Sequence, residues 1–159
     1  MKLAVAAVGG LREGFYREAC AEYCRRMAVM RPVEILEVRE ERIADENSPS
    51  QVERALEREG GRILALLRDG DVPVSLSPAG RQADSAEFAC MIDPGADPDA
   101  KRMVFIIGSS HGLSPSVYGK CRLSLSLGPM TFPHQLARVI LLEQIYRGQM
   151  INAGRAYHK

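Results

Sequence analysis

The sequence predicts an α/β domain built on a mostly parallel sheet with helices on both faces. Short apolar runs, typical of buried strands, alternate along the chain with longer stretches whose apolar residues recur at helical spacing. Loops rich in glycine and proline separate these two kinds of segment. The chain has 159 residues and is 46% apolar, which is enough for one hydrophobic core. We therefore expect a single domain over residues 1–159.

The first strand, the first helix and the second strand are predicted near the N-terminus. Residues 3–8 form a continuous apolar run that ends in Gly9-Gly10, as in a strand covered on both faces. Residues 15–30 carry apolar side chains at helical spacing, and Arg31-Pro32 ends that pattern. Residues 33–38 alternate apolar and acidic side chains, which indicates a strand with one exposed face.

A second helix and a third strand are predicted next. Ser50 is expected to cap the helix, with Glu53 completing a capping box. The helix is predicted to reach about residue 67, with an interruption at Gly60-Gly61, and the third strand to occupy residues 72–76.

The last half of the chain is predicted to alternate helices and strands in the same way. Residues 85–91 form a short amphipathic helix, and residues 103–107 are the clearest buried strand in the sequence. A helix is expected to open at Ser114-Pro115, with serine as the N-cap and proline in the first helical position. A strand at residues 122–127 and a helix at residues 133–149 complete the order.

Charge is distributed unevenly along the chain. Residues 1–117 carry 15 Lys and Arg against 19 Asp and Glu, whereas residues 118–159 carry 6 against the single acid Glu143. The formal net charge of +1 gives no indication of a strongly polyanionic partner. Of the 21 cationic residues of the chain, 17 are arginine, whose planar guanidinium suits phosphates and base edges.

Several classes of protein are disfavoured by composition. The four cysteines form no CxxC pair and only three histidines are present, so we expect neither a zinc site nor a disulfide framework. The apolar N-terminal run is too short for a signal peptide or a membrane span, and no other segment approaches about twenty apolar residues. We expect a cytoplasmic protein with reduced thiols, without a metal and without membrane contact.

The final helix is predicted to be apolar on nearly all sides. Its apolar residues are Leu136, Ala137, Val139, Ile140, Leu141, Leu142, Ile145 and Tyr146. Such a helix must be covered on both sides. The sheet and a second copy of the chain would cover it in a homodimer, whereas a central helix would be covered within one monomer.

Three segments of the last third carry specific motifs. They are VFIIGSSHGLSP at residues 104–115, LSLSLGPMTFPHQLARVILLEQIYR at residues 123–147 and AYH at residues 156–158. Together with the MKLAVAAVG start and the chain length, these motifs resemble the ribosomal RNA large subunit methyltransferase H family, a branch of the SPOUT superfamily. The resemblance covers essentially the whole chain. It implies a C-terminal trefoil knot, S-adenosylmethionine as cofactor, a homodimer, and methylation of N3 of a pseudouridine in 23S rRNA of the ribosome.

The resemblance also implies a cofactor site formed by the ends of two strands and one loop. Carried over by motif, its residues are Leu76, Gly108, Leu127, Gly128, Pro129, Met130, Thr131 and Phe132. The chain departs from the family pattern at Ser109, where glycine is usual, and at Gly128, where serine is usual.

The C-terminal end is implied to close over the active site. Tyr157 and His158 are therefore the candidate catalytic residues: either would accept the N3 proton or hold the deprotonated base, and Tyr157 would stack on a flipped-out nucleotide. The residues expected to contact the RNA are Arg138, Arg147, Arg155 and Lys159.

Three further side chains of the last third have more modest interpretations. His134 shares a helical face with Arg138 close to the cofactor loop, and it would orient that loop or contact the RNA. Glu143 and Arg147 have the i,i+4 spacing of an ion pair. His111 is interpreted as a surface histidine.

Other functions remain open at this point. The first is a different knotted RNA methyltransferase, acting on tRNA or on a ribose hydroxyl. The second is a ribosome-binding protein that kept the fold without the activity. A dinucleotide-dependent oxidoreductase is disfavoured, because Val8-Gly9-Gly10 lacks the GxGxxG fingerprint.

Overall fold

The computed structural model of the protein describes residues 1–157. Its elements in chain order are β1 (Lys2–Val8), α1 (Gly14–Met27), β2 (Val33–Val38), α2 (Pro49–Leu64), β3 (Asp71–Gln82), α3 (Ser85–Met91), β4 (Arg102–Ile107), α4 (Pro115–Tyr118), β5 (Leu123–Ser126) and α5 (His134–Asn152). The strands form one sheet in the order β2-β1-β4-β3-β5, and their pairings are all parallel. The predicted α/β class with a mostly parallel sheet is confirmed.

Different helices cover the two faces of the sheet, as predicted. Alternate side chains of a strand point to opposite faces. Accordingly Leu3 and Val5 pack in a cluster with residues of α1, α3 and α5, whereas Ala4 and Ala6 pack in a second cluster with residues of α2 and α4. All of residues 3–8 are buried, which confirms the prediction of a strand covered on both faces.

The second helix begins earlier than predicted and is not interrupted. Ser48 takes the N-cap position, and Pro49 provides the first helical residue. The prediction that Ser50 caps this helix in a box with Glu53 is therefore wrong. The helix also passes through Gly60-Gly61 without a break. The other predicted elements are present with ends shifted by up to three residues, apart from the third strand.

The third strand is longer than its apolar run predicted. β3 extends to Gln82, with a register shift between Leu76 and Arg81, both of which pair with Leu125 of β5. Gly80 lies in this shift, and a Cβ there would stand 2.7 Å from the backbone of Leu125. The two backbones therefore pass each other too closely for any side chain at residue 80. Strand order alone does not define how the chain is threaded, so the trefoil knot stays a prediction.

A buried ion cluster joins three strands at the amino-terminal edge of the sheet. The Arg102 guanidinium donates to Asp71 (Nε to Oδ1, 3.0 Å), to Glu34 (2.7 Å) and to the carbonyl of Leu66 (3.1 Å). Burial would raise the pKa of Asp71, but hydrogen bonds from Arg102 and from the Arg68 amide outweigh it and lower that pKa. The carboxylate therefore stays ionised beside the arginine.

The long helix α5 packs between α1 and α3 on one face of the sheet. Leu141, Leu142 and Ile145 are fully buried in the core, while Val139 and Ile140 are only half-buried. The helix thus keeps partly exposed apolar side chains within the monomer. None of the helices in residues 1–157 combines the length and hydropathy that crossing a bilayer requires.

Removal of the Arg102 guanidinium should destabilise the fold strongly. The side chains of Arg102 and Asp71 are only 5% and 4% exposed, and breaking a buried pair by removing one partner costs about 3–5 kcal/mol. We expect R102M to lower the free energy of unfolding by that amount in urea titrations. The double variant R102M/D71N should recover part of the loss. A double variant that is no more stable than R102M would contradict this account.

The two adjacent glycines of α2 should respond oppositely to alanine. A Cβ on Gly61 meets nothing within 4 Å, so G61A should stabilise the helix by about 0.5–1 kcal/mol. A Cβ on Gly60 would overlap the Ser114 hydroxyl and lie 3.2 Å from Val117 Cγ2, so G60A should cost about 1–3 kcal/mol. Thermal unfolding of both variants at one protein concentration tests the contrast, and equal shifts would refute it.

Candidate functional site

A pocket of about 710 Å³ opens at the carboxyl ends of β4 and β5 and beside the register shift of β3. Open parallel sheets keep their ligands at this edge. Four segments line it: residues 76–78 at the register shift of β3, residues 107–112 after β4, the loop that follows β5, and the first turn of α5. Tyr118 of α4 contributes to the rim.

The structure brings together most of the residues assigned to the cofactor by motif. Those that line the pocket are Leu76, Gly108, Leu127, Gly128, Met130, Thr131 and Phe132. Pro129 is exposed and lies outside the lining. The three segments that carry these residues are far apart in the sequence, and the parallel sheet places their ends side by side.

The turn after β4 depends on two glycines. The Gly112 amide donates to the carbonyl of Ser109 at 3.0 Å, which closes a four-residue turn, and Gly112 has φ +90°. A Cβ on Gly108 would lie 2.5 Å from the carbonyl carbon of Gly112 and nearer still to its oxygen. The chain therefore folds back directly onto residue 108, which only glycine permits.

The loop after β5 is held by a buried hydroxyl that the motif did not identify. The Ser126 hydroxyl lies 2.8 Å from the Gly128 carbonyl and 3.2 Å from the Pro78 carbonyl, and it accepts a hydrogen bond from the Gly128 amide at 3.2 Å. Gly128 itself has φ +139°, a conformation that favours glycine. Ser126 thus ties the loop to the neighbouring segment of β3.

Two histidines line the pocket. His111, interpreted from the sequence as a surface histidine, is half-buried in the turn after β4 and lines the pocket. His134 begins α5, and burial, opposed by Glu40, lowers its pKa, so its imidazole is neutral near pH 7. No Lys, Arg, Asp or Glu side chain is found in the lining formed by residues 1–157.

Arg138 is placed differently from its sequence interpretation. Its side chain is only 2% exposed, and its guanidinium donates to the Glu37 carboxylate and to the Gly9 carbonyl (2.7 Å). These bonds fasten α5 to the carboxyl ends of β1 and β2. The prediction that Arg138 contacts RNA is contradicted by this burial, because the guanidinium is already committed within the fold.

The C-terminal segment packs on α5. The Tyr157 hydroxyl donates to Glu143 Oε1 at 3.3 Å, its ring meets Tyr146 edge-on at 4.9 Å, and the Arg147 guanidinium lies 4.8 Å from its centre. The predicted Glu143–Arg147 ion pair is present at 2.7 Å. Arg155 is exposed. His158 and Lys159 lie outside the described residues.

Tyr157 does not line the pocket of its own chain. It contacts the third and fourth turns of α5, whereas the pocket is at the first turn. The twelve residues between His134 and Tyr146 correspond to about 18 Å along the helix axis. Burial, and then the Glu143 carboxylate, raise the pKa of Tyr157, so its phenol keeps its proton at neutral pH.

Comparison with known proteins agrees with this architecture. Residues 1–158 match the sequence profile of a family described as "Predicted SPOUT methyltransferase". The chain is 43% identical over 159 residues to the ribosomal RNA large subunit methyltransferase H of Lactococcus lactis subsp. cremoris, with all of both chains covered. It is 43% identical over 158 residues to the protein of the same name from Gloeobacter violaceus, with 99% of each chain covered.

Solved structures share the fold at much lower identity. A protein from Legionella pneumophila assigned as a methyltransferase, and solved with bound SAM, superposes with a TM-score of 0.53 at 14% identity, covering 92% of this chain and 66% of that one. A methylase-family protein from Haemophilus influenzae gives 0.52 at 11% identity, covering 96% and 66%. Because the profile spans nearly every residue and the sequence relatives align over their full lengths, this chain belongs to the SPOUT methyltransferase family.

Proposed function

We propose that this protein transfers a methyl group from S-adenosylmethionine to N3 of a pseudouridine in 23S rRNA, acting as a homodimer on assembled ribosomes in the cytoplasm. The observation that carries the proposal is the pocket at the carboxyl edge of the sheet, formed by the family's own motif segments. Support comes from relatives of the same length that are named ribosomal RNA large subunit methyltransferase H.

The pocket fits S-adenosylmethionine in size and in chemistry. A volume of about 710 Å³ falls in the range of sites for ligands of this size. Leu76, Leu127 and Phe132 offer apolar surface, and the loop from Met130 to Phe132 lines the pocket beside them. The described lining places no lysine or arginine beside the sulfonium cation. When bound, the cofactor supplies an electrophilic methyl carbon.

Catalysis on this proposal is mainly positioning. Holding N3 in line with the methyl carbon lowers the entropic part of the barrier, and N3 must lose its proton before or during attack. His134 is neutral near pH 7 and lines the pocket, so it is a candidate proton acceptor together with His158. Tyr157 keeps its own proton, so we assign it to stacking on the target base.

The position of Tyr157 favours a site that two chains share. Within one monomer its ring packs far along α5 from the pocket, and we expect an antiparallel second copy to bring it to a pocket. The half-buried apolar side chains of α5, among them Leu136, Val139 and Ile140, provide a surface for that copy. Arg147, Arg155 and Lys159 are then our candidates for contacts with the RNA phosphates.

Methyl transfer to unmodified ribosomes tests the proposed function. Purified protein is incubated with labelled S-adenosylmethionine and ribosomes that lack the modification, and the 23S rRNA is mapped by mass. We expect one new methyl group, on N3 of a single pseudouridine. Methylation of tRNA or of a ribose hydroxyl would refute the proposed target. Binding of the cofactor without transfer to ribosomes would also refute it.

Substitution of Gly108 should abolish most cofactor binding. In G108A the new Cβ would overlap the Gly112 carbonyl, so the turn must open and the pocket lining must shift. We expect affinity for S-adenosylmethionine, measured by titration calorimetry, to fall by about tenfold or more, equivalent to about 1.4 kcal/mol. G61A is the matched control, because its Cβ is free of contacts and outside the pocket. Unchanged affinity in a folded G108A protein would refute this role.

A further inference from the structure

We propose that His111, with Ser110 and the turn that carries them, recognises the carboxylate of the cofactor's methionine moiety. The inference rests on the proposed cofactor and assigns a specificity-determining residue within its pocket. S-adenosylmethionine carries one carboxylate, and such a group needs hydrogen-bond donors or a positive charge when it leaves water.

The composition of the pocket restricts which side chains can serve that carboxylate. Its lining in the described chain holds no lysine or arginine, so the side chains able to become cationic there are His111 and His134. Burial disfavours the charged form of His134, which also lies near Arg138 and Arg12. Tyr118 is the remaining titratable group of the lining, and it carries no positive charge. His111 is therefore the side chain suited to an anion.

The geometry of the turn adds further donors at the same place. Ser109 to Gly112 form a turn closed by the bond from the Gly112 amide to the Ser109 carbonyl. Such a turn does not use the amides of its two central residues, here Ser110 and His111, and successive free amides form an anion-binding concavity. His111 Nδ1 lies 3.2 Å from Ser110 Oγ, so Nε2 is the ring nitrogen that remains for a ligand.

The position of His111 favours the cofactor over an RNA phosphate. Its side chain is half-buried and lines the pocket together with Leu76, Gly108 and the loop after β5. A phosphate of a large RNA would meet exposed cations first, and the exposed Arg155 is of that kind. The carboxylate of a cofactor held inside the pocket would reach the turn without competing with the contacts between RNA phosphates and exposed cations.

Paired ligands isolate the contribution of the carboxylate. The full-length protein is titrated calorimetrically with S-adenosylmethionine and with its decarboxylated analogue, which keeps the adenosine, the sulfonium and the amine. We expect the wild-type protein to prefer S-adenosylmethionine by about tenfold, the range of a charge-assisted hydrogen bond. His111→Asn, whose amide replaces Nδ1 only, should lose most of that preference while binding the analogue as the wild type does. His111→Gln, whose amide reaches the Nε2 position, should keep part of it.

The outcomes separate this inference from the proposed function. Equal loss of both ligands in His111→Asn would mean that His111 only shapes the pocket, and would overturn the inference. An unchanged preference with weaker binding to ribosomes would assign His111 to RNA and would also overturn it. If the wild-type protein binds neither ligand, the proposed function itself fails, and the inference fails with it.

Discussion

The absence of a side chain at Gly108 is the constraint on which the pocket depends. Residue 108 ends the central strand β4, and the following turn folds back so closely that its Gly112 carbonyl occupies the space of a Cβ. This return brings Ser110 and His111 into the lining and sets the distance between the turn and the loop after β5. A wider turn would move those residues outward and leave an open groove.

The rest of the pocket is held by hydrogen bonds that reach across the sheet edge. Ser126 connects the loop after β5 to Pro78 in the segment of β3 that shifts register. On the other side, Arg138 connects the start of α5 to Gly9 at the end of β1. Because both anchors are buried, the loop and the helix are fixed on a rigid sheet rather than ordered only by a ligand. This arrangement favours a preformed pocket.

Sequence patterns correctly predicted features that depend on neighbouring residues, such as the start of a helix. The Ser114-Pro115 start of α4 is found as expected, with the Ser114 hydroxyl accepting from the Val117 amide. The second helix was misassigned because two serines were available, and the proline after Ser48 gave that serine the better start. The length of β3 was missed because residues 77–80 have the composition of a turn, and the strand resumes its pairing with β5 only at Arg81 and Gln82.

The sequence motifs identified most of the residues that line the candidate site. They did not reveal which other side chains the fold buries or turns into it. In the sequence, Arg138 is a charged residue on a helix and is expected to be exposed. Its partner Glu37 is 101 residues away and meets it only in the fold. His111 entered the pocket because the turn closes on Gly108, which no periodicity reveals. His111 follows the carboxyl end of β4, and Arg138 lies on the helix that follows β5. Their positions beside the carboxyl edge of the sheet are the signal of a site that the sequence offered.

The buried ion cluster around Arg102 lies at the edge of the sheet opposite the pocket. The charged cluster that stabilises the sheet and the pocket proposed for the ligand thus lie at opposite ends of the strands. The position of a damaging substitution along the strands therefore predicts which property of the protein it lowers. Substitutions in the Arg102 cluster should lower the amount of folded protein, whereas substitutions of pocket side chains that hold no part of the fold should lower the activity of each folded molecule. Folded amount and activity can therefore change separately in evolution, except at residues such as Arg138, whose bonds hold the helix that begins in the pocket lining.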